Sequence, residues 1–362
     1  MDDVARWPAP ERAELFEETS ARAGMPAAVV VEKDFWVCWT LRHVFGPAPI
    51  VPGMVFKGGT SLSKAYGAIT RFSEDVDLSI PRAALGFADE RDLTPGVSNT
   101  RAGRLRAAMV AACDAYVGGT LRAELARRMA AALGRDHGAR GSTPGDVHEH
   151  LGLLAVDPAD PGTLLLRYPT ALPDTAYGAR AYIRPVVRLE FGGRNEVWPA
   201  ERRVIRAYAL AAFPHVVAEG DVAVDVLAAE RTFWEKATIL HAEYHRPVPS
   251  ARGDRLSRHY ADLAALAGGD VGTRALARPD LLAAVAAHKA RYFPASWARY
   301  PDATPGTLRL VPHPELERAL RRDYAAMRDM FFDEPEPFDT VLAALAALER
   351  AINASGPTRP PS

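Results

Sequence analysis

The chain is poor in cysteine and lysine, and it lacks any long uninterrupted apolar run. Its two cysteines, Cys38 and Cys113, lie in apolar surroundings, which argues against a disulfide or a cysteine-based zinc site and predicts buried thiols in a reducing compartment. No apolar stretch reaches the roughly 20 residues that a membrane-spanning helix needs. The acidic start, Met1-Asp2-Asp3, lacks the basic and apolar regions of a secretion signal. We therefore expect a cytoplasmic protein with no membrane association.

A strong net charge is also missing, because 44 basic and 45 acidic residues nearly cancel. A nucleic-acid partner would therefore have to be held by a local basic patch rather than by the whole surface. Arginine supplies most of the positive charge, since only five of the basic residues are lysine. With 362 residues, 48% of them hydrophobic, the chain is long enough for one two-lobed unit or two domains.

The hydrophobic pattern predicts helices first, then a mixed sheet with inserted helices, and finally a helical lobe. Helical periodicity covers residues 10–46 (with a break at Gly24 and Pro26), 61–70, 98–135 and most of 225–350. Strand-like runs cover residues 54–56, 75–80, 163–167, 182–191 and 203–209. Pro185 predicts a sheet edge or a bulge for the fourth run. We expect an α+β fold, with a core at 1–215, a mainly helical lobe at 216–355 and a disordered tail at 356–362.

Two aspartates on the predicted strand at 75–80 are the first candidate site residues. Asp75 and Asp77 are two positions apart, so the period of a strand places both side chains on one face. Two carboxylates so placed repel each other unless a cation lies between them. Mg²⁺ prefers oxygen ligands and usually takes only a few protein carboxylates. The pair therefore predicts a divalent metal site, with Mg²⁺ or Mn²⁺ as the ion.

A glycine turn between a predicted strand and a predicted helix is the second candidate feature. Glycine lets the backbone approach a ligand closely, and a helix that follows offers free N–H groups to an anion. Neighbouring hydroxyl and ammonium groups add hydrogen-bond donors and positive charge. The candidate triphosphate-binding residues are Lys57, Gly58, Gly59, Thr60, Ser61 and Lys64. The spacing differs from that of a Walker P-loop.

Each of these features has a simpler explanation when it is considered alone. An Asp-x-Asp pair is usually the solvated face of a strand, and a Gly-Gly pair is usually only a turn. Here the turn precedes the acidic pair by one short helix, and the combination favours nucleotide chemistry. Transfer of a nucleotide from a triphosphate needs divalent metal, phosphate positioning and an in-line nucleophile.

The segment from Phe56 to Leu78 resembles the first motif of the AbiEii/AbiGii family of nucleotidyltransferase toxins, which includes the mycobacterial MenT toxins. The motif is a Gly-Gly or Gly-Ser turn, a helix and then Arg-x-Ser-x-Asp-x-Asp. All of these elements are present here, as Gly58, Gly59, Ser61, Arg71, Ser73, Asp75 and Asp77. Similarity also covers Val30-Val31-Glu32-Lys33-Asp34-Phe35-Trp36 and later segments. The resemblance implies a DNA-polymerase-beta-like core, an NTP substrate and a cognate antitoxin.

The resemblance also implies roles for residues that the pattern alone would leave on a solvated helix. Lys236 matches a family lysine that neutralises triphosphate or pyrophosphate charge. Asp262 matches an acid of a motif typically written Arg-Asp-x-x-Asp-Leu, and it would orient Lys236 or position substrate. The first acid of that motif is His259 here, so a role for that position is in doubt. Ser73 contributes to the nucleotide site, and an equivalent hydroxyl is phosphorylated in some relatives.

Polymerase-beta-like sites take a third carboxylate from a neighbouring strand, and Glu190 is the candidate. The alternative for Glu190 is an ion pair with an arginine on a neighbouring strand. A zinc site formed by His241, His245 and His259 is disfavoured, because position 242 is Ala where a zincin motif has Glu.

Local basic clusters could contact RNA, although acidic neighbours make a solvated face the simpler explanation for each one. Three of them are Arg122, Arg127 and Arg128; Arg202, Arg203 and Arg206; and Arg318, Arg321 and Arg322. The cluster that the resemblance associates with the active site is Arg252, Arg255 and Arg258. By analogy with the family, the expected activity is transfer of a nucleotide to the 3′ end of a tRNA by a toxin of a toxin–antitoxin or phage-defence system. The alternatives are nucleotide or phosphate transfer to a protein hydroxyl, and a non-catalytic nucleotide- or RNA-binding module.

Overall fold

The computed structural model describes residues 1–89, 92–94, 96–134, 153–178, 183–217, 219–247 and 255–355. The chain forms two compact units. Unit 1 comprises Met1–Ala65 and Phe72–Val226, and unit 2 comprises Tyr66–Arg71 and Leu227–Ser362. The division after Val226 lies eleven residues beyond the boundary at 215 that the sequence suggests, and the short segment 66–71 belongs with the later unit. The tail predicted at 356–362 lies outside the described residues.

Unit 1 begins with three helices, α1 (Asp2–Arg6), α2 (Ala9–Ala23) and α3 (Ala28–Phe45). The predicted break is confirmed, because Gly24 ends α2 in the left-handed conformation with φ of 62°. Helix α3 is buried on nearly all sides from Val29 to Leu41. A helix that is apolar on every side belongs inside a core, and α3 is the central helix of unit 1.

A seven-stranded mixed sheet forms the rest of the core of unit 1, which confirms the predicted α+β class. Its order is β3-β4-β5-β2-β1-β7-β6. Strands β1 and β2 are antiparallel, whereas β2 pairs with β5 and β1 pairs with β7 in parallel. The strands are β1 (Val55–Lys57), β2 (Asp75–Ser79), β3 (Leu154–Asp157), β4 (Asp160–Leu166), β5 (Val187–Gly192), β6 (Ala200–Arg206) and β7 (Asp221–Leu227).

Strand β5 differs from the prediction. It lies between β4 and β2, so it is an interior strand, and the expectation of a sheet edge or a bulge from Pro185 is wrong. The reason is that β5 begins at Val187, so Pro185 precedes the hydrogen-bonded ladder and removes no donor from it. Strands β3 and β7 were not predicted from the sequence.

Helices interrupt the sheet in sequence. Helix α4 (Gly58–Lys64) follows β1 directly and is shorter than the predicted 61–70 helix. The predicted helical region at 98–135 is confirmed as α5 (Asn99–Tyr116) and α6 (Arg122–Ala132), joined by one π-helical turn. Two short helices, α7 (Asp174–Tyr177) and α8 (Tyr208–Ala212), complete unit 1.

Unit 2 is helical, as the sequence predicts for most of 225–350. The segment 66–71 is tied to this unit by a bridge between Arg71 and Phe331 and by a hydrogen bond from the Phe332 N–H to the Thr70 carbonyl. Its helices are α9 (Ala229–Tyr244), α10 (Ser257–Ala267), α11 (Asp270–Leu276), α12 (Pro279–Tyr292), α13 (Pro314–Ala326) and α14 (Phe338–Ala354). No helix among the described residues combines the length and the apolar character that crossing a bilayer requires.

Three consecutive charged residues of α3, Glu32, Lys33 and Asp34, are buried in the centre of unit 1, and we call them the α3 charge triplet. Glu32 accepts hydrogen bonds from the N–H groups of Ala171 and Leu172. The hydroxyl of Tyr177 also donates to Glu32, over 2.7 Å. This carboxylate therefore fixes the chain around α7.

The other two members of the triplet fix the elements that carry the candidate site. Lys33 pairs with Glu74, the residue immediately before β2, and donates to the Arg184 carbonyl over 2.9 Å. Asp34 pairs with Lys64 at the end of α4 over 2.7 Å and accepts from the N–H of Tyr208. Burial alone would lower the pKa of Lys64, but Asp34 raises it, so the lysine remains charged.

We expect Asp34→Asn to lower the free energy of unfolding of unit 1 by about 3 kcal/mol, because it leaves Lys64 charged, buried and without a carboxylate. Adding Lys64→Met should recover part of that loss, since the unpaired charge is removed. Urea denaturation followed by tryptophan fluorescence measures both values. Glu201→Gln, which breaks the exposed pair with Arg203, is the matched control and should change stability by less than about 1 kcal/mol. An additive double variant would contradict this account.

Candidate active site

Strand β2 presents Asp75 and Asp77 on one face of the sheet, as its period predicts. Both residues are half-buried, whereas Val76 and Leu78 are completely buried on the other face. In the register of the sheet, Asp77 lies opposite Lys57 of β1 and Glu190 of β5. Register partners share a face, so the candidate third carboxylate is brought beside the aspartates.

Glu190 is close enough to Asp75 and Asp77 to interact electrostatically with their carboxylates. Partial burial, and then the carboxylates of Asp77 and Asp75, raise its pKa above the ordinary value. The alternative expected for Glu190 is an ion pair with an arginine on a neighbouring strand. Glu190 does pair with an arginine, but that arginine, Arg188, is on the same strand. Arg188 lies 3.4 Å from Glu190 and, in register, opposite Asp75.

Gly58 occupies a position that no other residue can take without displacement. Its φ of 79° lies in the left-handed region, and a Cβ added there would lie 2.0 Å from Oδ2 of Asp77. The turn therefore contacts the carboxylate of β2 directly. Gly59, half-buried, follows it in the first turn of α4.

The hydroxyl groups of the turn hold the turn to the strand. Thr60 Oγ1 is within hydrogen-bonding distance of both the Asp75 carbonyl and Ser73 Oγ, the latter at 2.9 Å. Ser61 Oγ donates to the Gly58 carbonyl over 2.9 Å. Thr60 and Ser61 are buried and Ser73 is half-buried. Their observed contacts position Gly58 and Asp75, which differs from the direct phosphate contact that the sequence suggests.

Lys64 also makes its contacts within the protein. Its side chain is only 6% exposed, it pairs with Asp34, and its ammonium lies 3.7 Å from the centre of the Tyr208 ring. These contacts favour a structural role for Lys64 over the triphosphate contact suggested by the sequence. Lys57 is half-buried at the end of β1, in register with Asp77.

A second charged cluster, within unit 2, joins residues that are far apart in sequence. Arg71 donates two hydrogen bonds of 2.7 Å to the carboxylate of Asp262. Lys236 Nζ lies 2.8 Å from the same carboxylate and 3.4 Å from Nδ1 of His259. This is the geometry expected if Asp262 orients Lys236. The sequence showed Arg71 as part of a motif but gave no indication that it pairs with Asp262.

The protonation states in this cluster follow from burial and from two cations that share one anion. Burial alone would raise the pKa of Asp262, but Arg71 and Lys236 lower it strongly, so the carboxylate is ionised. Burial lowers the pKa of Lys236, and the charge of Arg71 acts in the same direction. Desolvation, Lys236 and Arg258 lower the pKa of His259 well below its usual value, so the imidazole is neutral at pH 7.

His241 does not have a nitrogen available for zinc. Its Nε2 is 3.1 Å from the Arg299 carbonyl, and its Nδ1 accepts from the Arg309 N–H over 3.1 Å. The ring is therefore a neutral imidazole bonded at both nitrogens. His245 packs edge-on against it, with ring centres 4.7 Å apart. These contacts argue against His241 as a zinc ligand.

The basic clusters receive little support as an RNA surface. Arg127 and Arg128 pair with Glu124, and Arg321 pairs with Glu317 and Asp339. Of the preferred cluster, Arg252 lies outside the described residues. Arg255 is exposed with a φ of 58°, and Arg258 is half-buried.

The face of the sheet in unit 1 has the donor atoms that a divalent ion requires. Asp75 and Asp77 offer carboxylate oxygens, and Glu190, in register with Asp77, places a third carboxylate group on the same face. Among the described residues, no three carboxylate, histidine or cysteine side chains are already arranged as a complete ligand set. The residues therefore fit an ion held by two aspartates that also takes oxygen ligands from substrate or water.

A mixed sheet with a carboxylate-bearing strand after a glycine turn suits nucleotidyl transfer, and comparison with known proteins places the chain in that class of enzyme. The chain belongs to the AbiEii family of nucleotidyl transferase toxins of Type IV toxin–antitoxin systems, whose profile matches residues 39–344. The resemblance inferred from the motifs is thus confirmed. Membership of the family implies an NTP substrate and an antitoxin partner.

One solved structure with a similar chain is that of MenT4, a nucleotidyltransferase toxin from Mycobacterium tuberculosis H37Rv. The sequences are 18% identical, the TM-score is 0.42, and the match covers 93% of this chain and 98% of that chain. A comparison with curated proteins finds no significant match.

We expect Gly58→Ala to reduce nucleotidyl transfer by at least about 100-fold, because its methyl group would displace the Asp77 carboxylate. Initial rates with saturating NTP and divalent metal measure the loss. Gly24→Ala is the matched control, since Gly24 has a similar φ of 62° but nothing within 4 Å of an added Cβ. Equal loss of rate in both variants would show that backbone strain, and not contact with Asp77, is responsible.

His241 should make the stability of unit 2 depend on pH. Burial lowers its pKa to about 4, so between pH 6.5 and pH 4 the unfolded chain takes up a proton that the folded chain does not. This contribution to stability is complete above about pH 6.5 and is lost as the pH falls. Urea unfolding should show a loss of about 2 kcal/mol between pH 7.5 and pH 5 that is absent in His241→Asn. The same pH dependence in both proteins would contradict this assignment.

Proposed function

We propose that this AbiEii-family enzyme transfers a nucleotide from an NTP to an RNA acceptor, the 3′ end of a tRNA, with Mg²⁺ (or Mn²⁺) held by Asp75 and Asp77. The observation that carries the proposal is the direct apposition of Gly58 and the Asp77 carboxylate. A turn pressed against a metal-binding acid would place a bound triphosphate next to the ion. Simple turns and solvated strand faces do not require this contact.

The roles of the residues follow from their contacts. Asp75 and Asp77 would bind the ion, and Glu190, in register with Asp77, would add negative charge beside it. Thr60 and Ser73 would keep the turn and β2 in a fixed relation through their hydrogen bond. Gly58 and Gly59 would admit the triphosphate, with Lys57 as the nearest cation of β1. The ion would supply charge neutralisation for pyrophosphate and activation of the acceptor hydroxyl.

The cluster in unit 2 carries charge of the sign that a polyphosphate group needs. As the family motif implies, we assign Lys236 to neutralising triphosphate or pyrophosphate charge, and Asp262 to holding Lys236 in place. One anion shared by two buried cations leaves net positive charge, which suits a polyphosphate ligand. Arg258, half-buried, and Arg255, exposed, are the candidates for contact with RNA in the described part of the chain.

A labelling experiment distinguishes this proposal from its alternatives. The chain is incubated with Mg²⁺, each of the four labelled NTPs in turn, and total tRNA together with protein substrates. Label on the RNA 3′ end supports the proposal, label on protein supports modification of a hydroxyl, and binding without transfer indicates a non-catalytic module.

We expect Asp75→Asn to reduce label on RNA by at least about 100-fold while the melting temperature changes little, because the residue is half-buried. The control is Asp225→Asn, which removes an equivalent charge from β7, where the aspartate pairs with Arg202 near the surface. That variant should retain activity. Full activity of Asp75→Asn would rule out the proposed metal site.

A further inference from the structure

Arg188 on β5 contacts three carboxylates, two of which lie on the candidate metal-binding face of the sheet. Its Nη1 lies 2.5 Å from Oδ2 of Asp157, its Nη2 lies 3.4 Å from Glu190, and its Nε lies 3.9 Å from Asp75. Two of these acids are candidate metal ligands. No sequence motif pointed to Arg188, although its spacing of two from Glu190 places both on one face of the strand.

We propose that Arg188 is an internal counter-ion that competes with divalent metal for Asp75 and Glu190 and so sets the affinity of the site for the free ion. The inference rests on the proposed metal site at Asp75 and Asp77. A guanidinium group cannot lose its charge at physiological pH, so Arg188 offsets part of the negative charge of these carboxylates whenever no metal is bound.

The strength of the three contacts indicates how the competition works. The shortest contact is to Asp157, where the chain shifts register between β3 and β4 and where the carboxylate also accepts from the Ala159 N–H. The contacts with Glu190 and Asp75 are longer and weaker. Asp157 therefore anchors the guanidinium, and of the three contacts of Arg188 a divalent ion at the site competes with the two longer ones.

Electrostatics of the site agree with this division. Partial burial alone would lower the pKa of Arg188, but Asp157, Glu190 and Asp75 raise it. One guanidinium group faces the carboxylates of Asp157, Glu190 and Asp75, and Asp77 adds a fourth carboxylate in register with Glu190. The counter-ion thus compensates only part of the negative charge, which leaves the face attractive to a second, doubly charged cation.

The test measures binding of Mn²⁺ alone, without nucleotide, by electron paramagnetic resonance on the full chain. Arg188→Met and Arg188→Gln remove the charge and should bind Mn²⁺ about five- to tenfold more tightly than the parent chain. Arg188→Lys keeps the charge and should bind with nearly the parent affinity. Arg203→Met, which removes an exposed arginine of β6 paired with Glu201, is the matched control and should leave the affinity unchanged.

A thermal readout separates competition from a merely structural role. Without metal, Arg188→Met should melt about 2 to 4 °C lower, because the acids lose their counter-ion. Saturating Mn²⁺ should raise its melting temperature by more than that of the parent chain. Equal lowering with and without Mn²⁺, together with unchanged affinity, would overturn the proposal.

Asp75→Asn distinguishes failure of this inference from failure of the proposed function. If that substitution abolishes Mn²⁺ binding but Arg188→Met and Arg188→Gln bind like the parent chain, the metal site stands and the role of Arg188 is wrong. If the parent chain binds no Mn²⁺, or binds it independently of Asp75, the metal site and the role of Arg188 both fall.

Discussion

The structure of unit 1 depends on the burial of three charged side chains in the second turn of its central helix. Removing Glu32, Lys33 and Asp34 from water is costly, and each is compensated by hydrogen-bonding or ion-pair partners at fixed positions. Lys33 requires Glu74 beside β2, and Asp34 requires Lys64 at the end of α4. Because an unpaired partner would be strongly unfavourable, these pairs fix the turn and the acidic strand in place. An apolar helix core would pack as well but would not select one register.

The fixed position of β2 also fixes the carboxylates of the candidate metal site, Asp75 and Asp77. The Asp77 carboxylate lies against Gly58, and the Thr60 hydroxyl is hydrogen-bonded to both the Asp75 carbonyl and the Ser73 hydroxyl. Fixed acids repel each other at all times, so the fold itself provides the tendency to bind a cation. Arg188 supplies part of the compensating positive charge from within the protein. The site is therefore preorganised by contacts that cannot relax independently of the core.

Much of this arrangement could be predicted from the sequence, and the parts that could not share a physical cause. Local patterns identified Asp75 and Asp77, because strand periodicity and a neighbouring glycine turn are short-range signals. The family resemblance, and not a local pattern, suggested Glu190 as a third carboxylate, and in the sheet this residue lies in register with Asp77. The pairing of Arg71 with Asp262 spans 191 residues, and no periodicity relates such distant positions. The same limitation hid Asp157 and the burial of Lys64, since a lysine after a glycine turn looks like a phosphate ligand until its partner Asp34 is known.

Pro185 and β7 illustrate a second limitation, which concerns where elements begin and end. A proline next to a strand-like run indicates an edge only if it lies within the hydrogen-bonded part, and β5 starts two residues later. Strand β7 was assigned to the helical region because its run from Asp221 passes directly into α9. Neither error concerned β2, the strand that carries Asp75 and Asp77.

The scarcity of lysine gives the buried ammonium groups a further use. Lys33 and Lys64 in unit 1 and Lys236 in unit 2 have side chains no more than 6% exposed, and they are three of only five lysines. Acylating reagents that attack amines react with accessible, deprotonated groups, so these three sites are shielded while their unit is folded. Each unit thus carries its own natural chemical marker of opening, and mass spectrometry can follow the two separately in one sample.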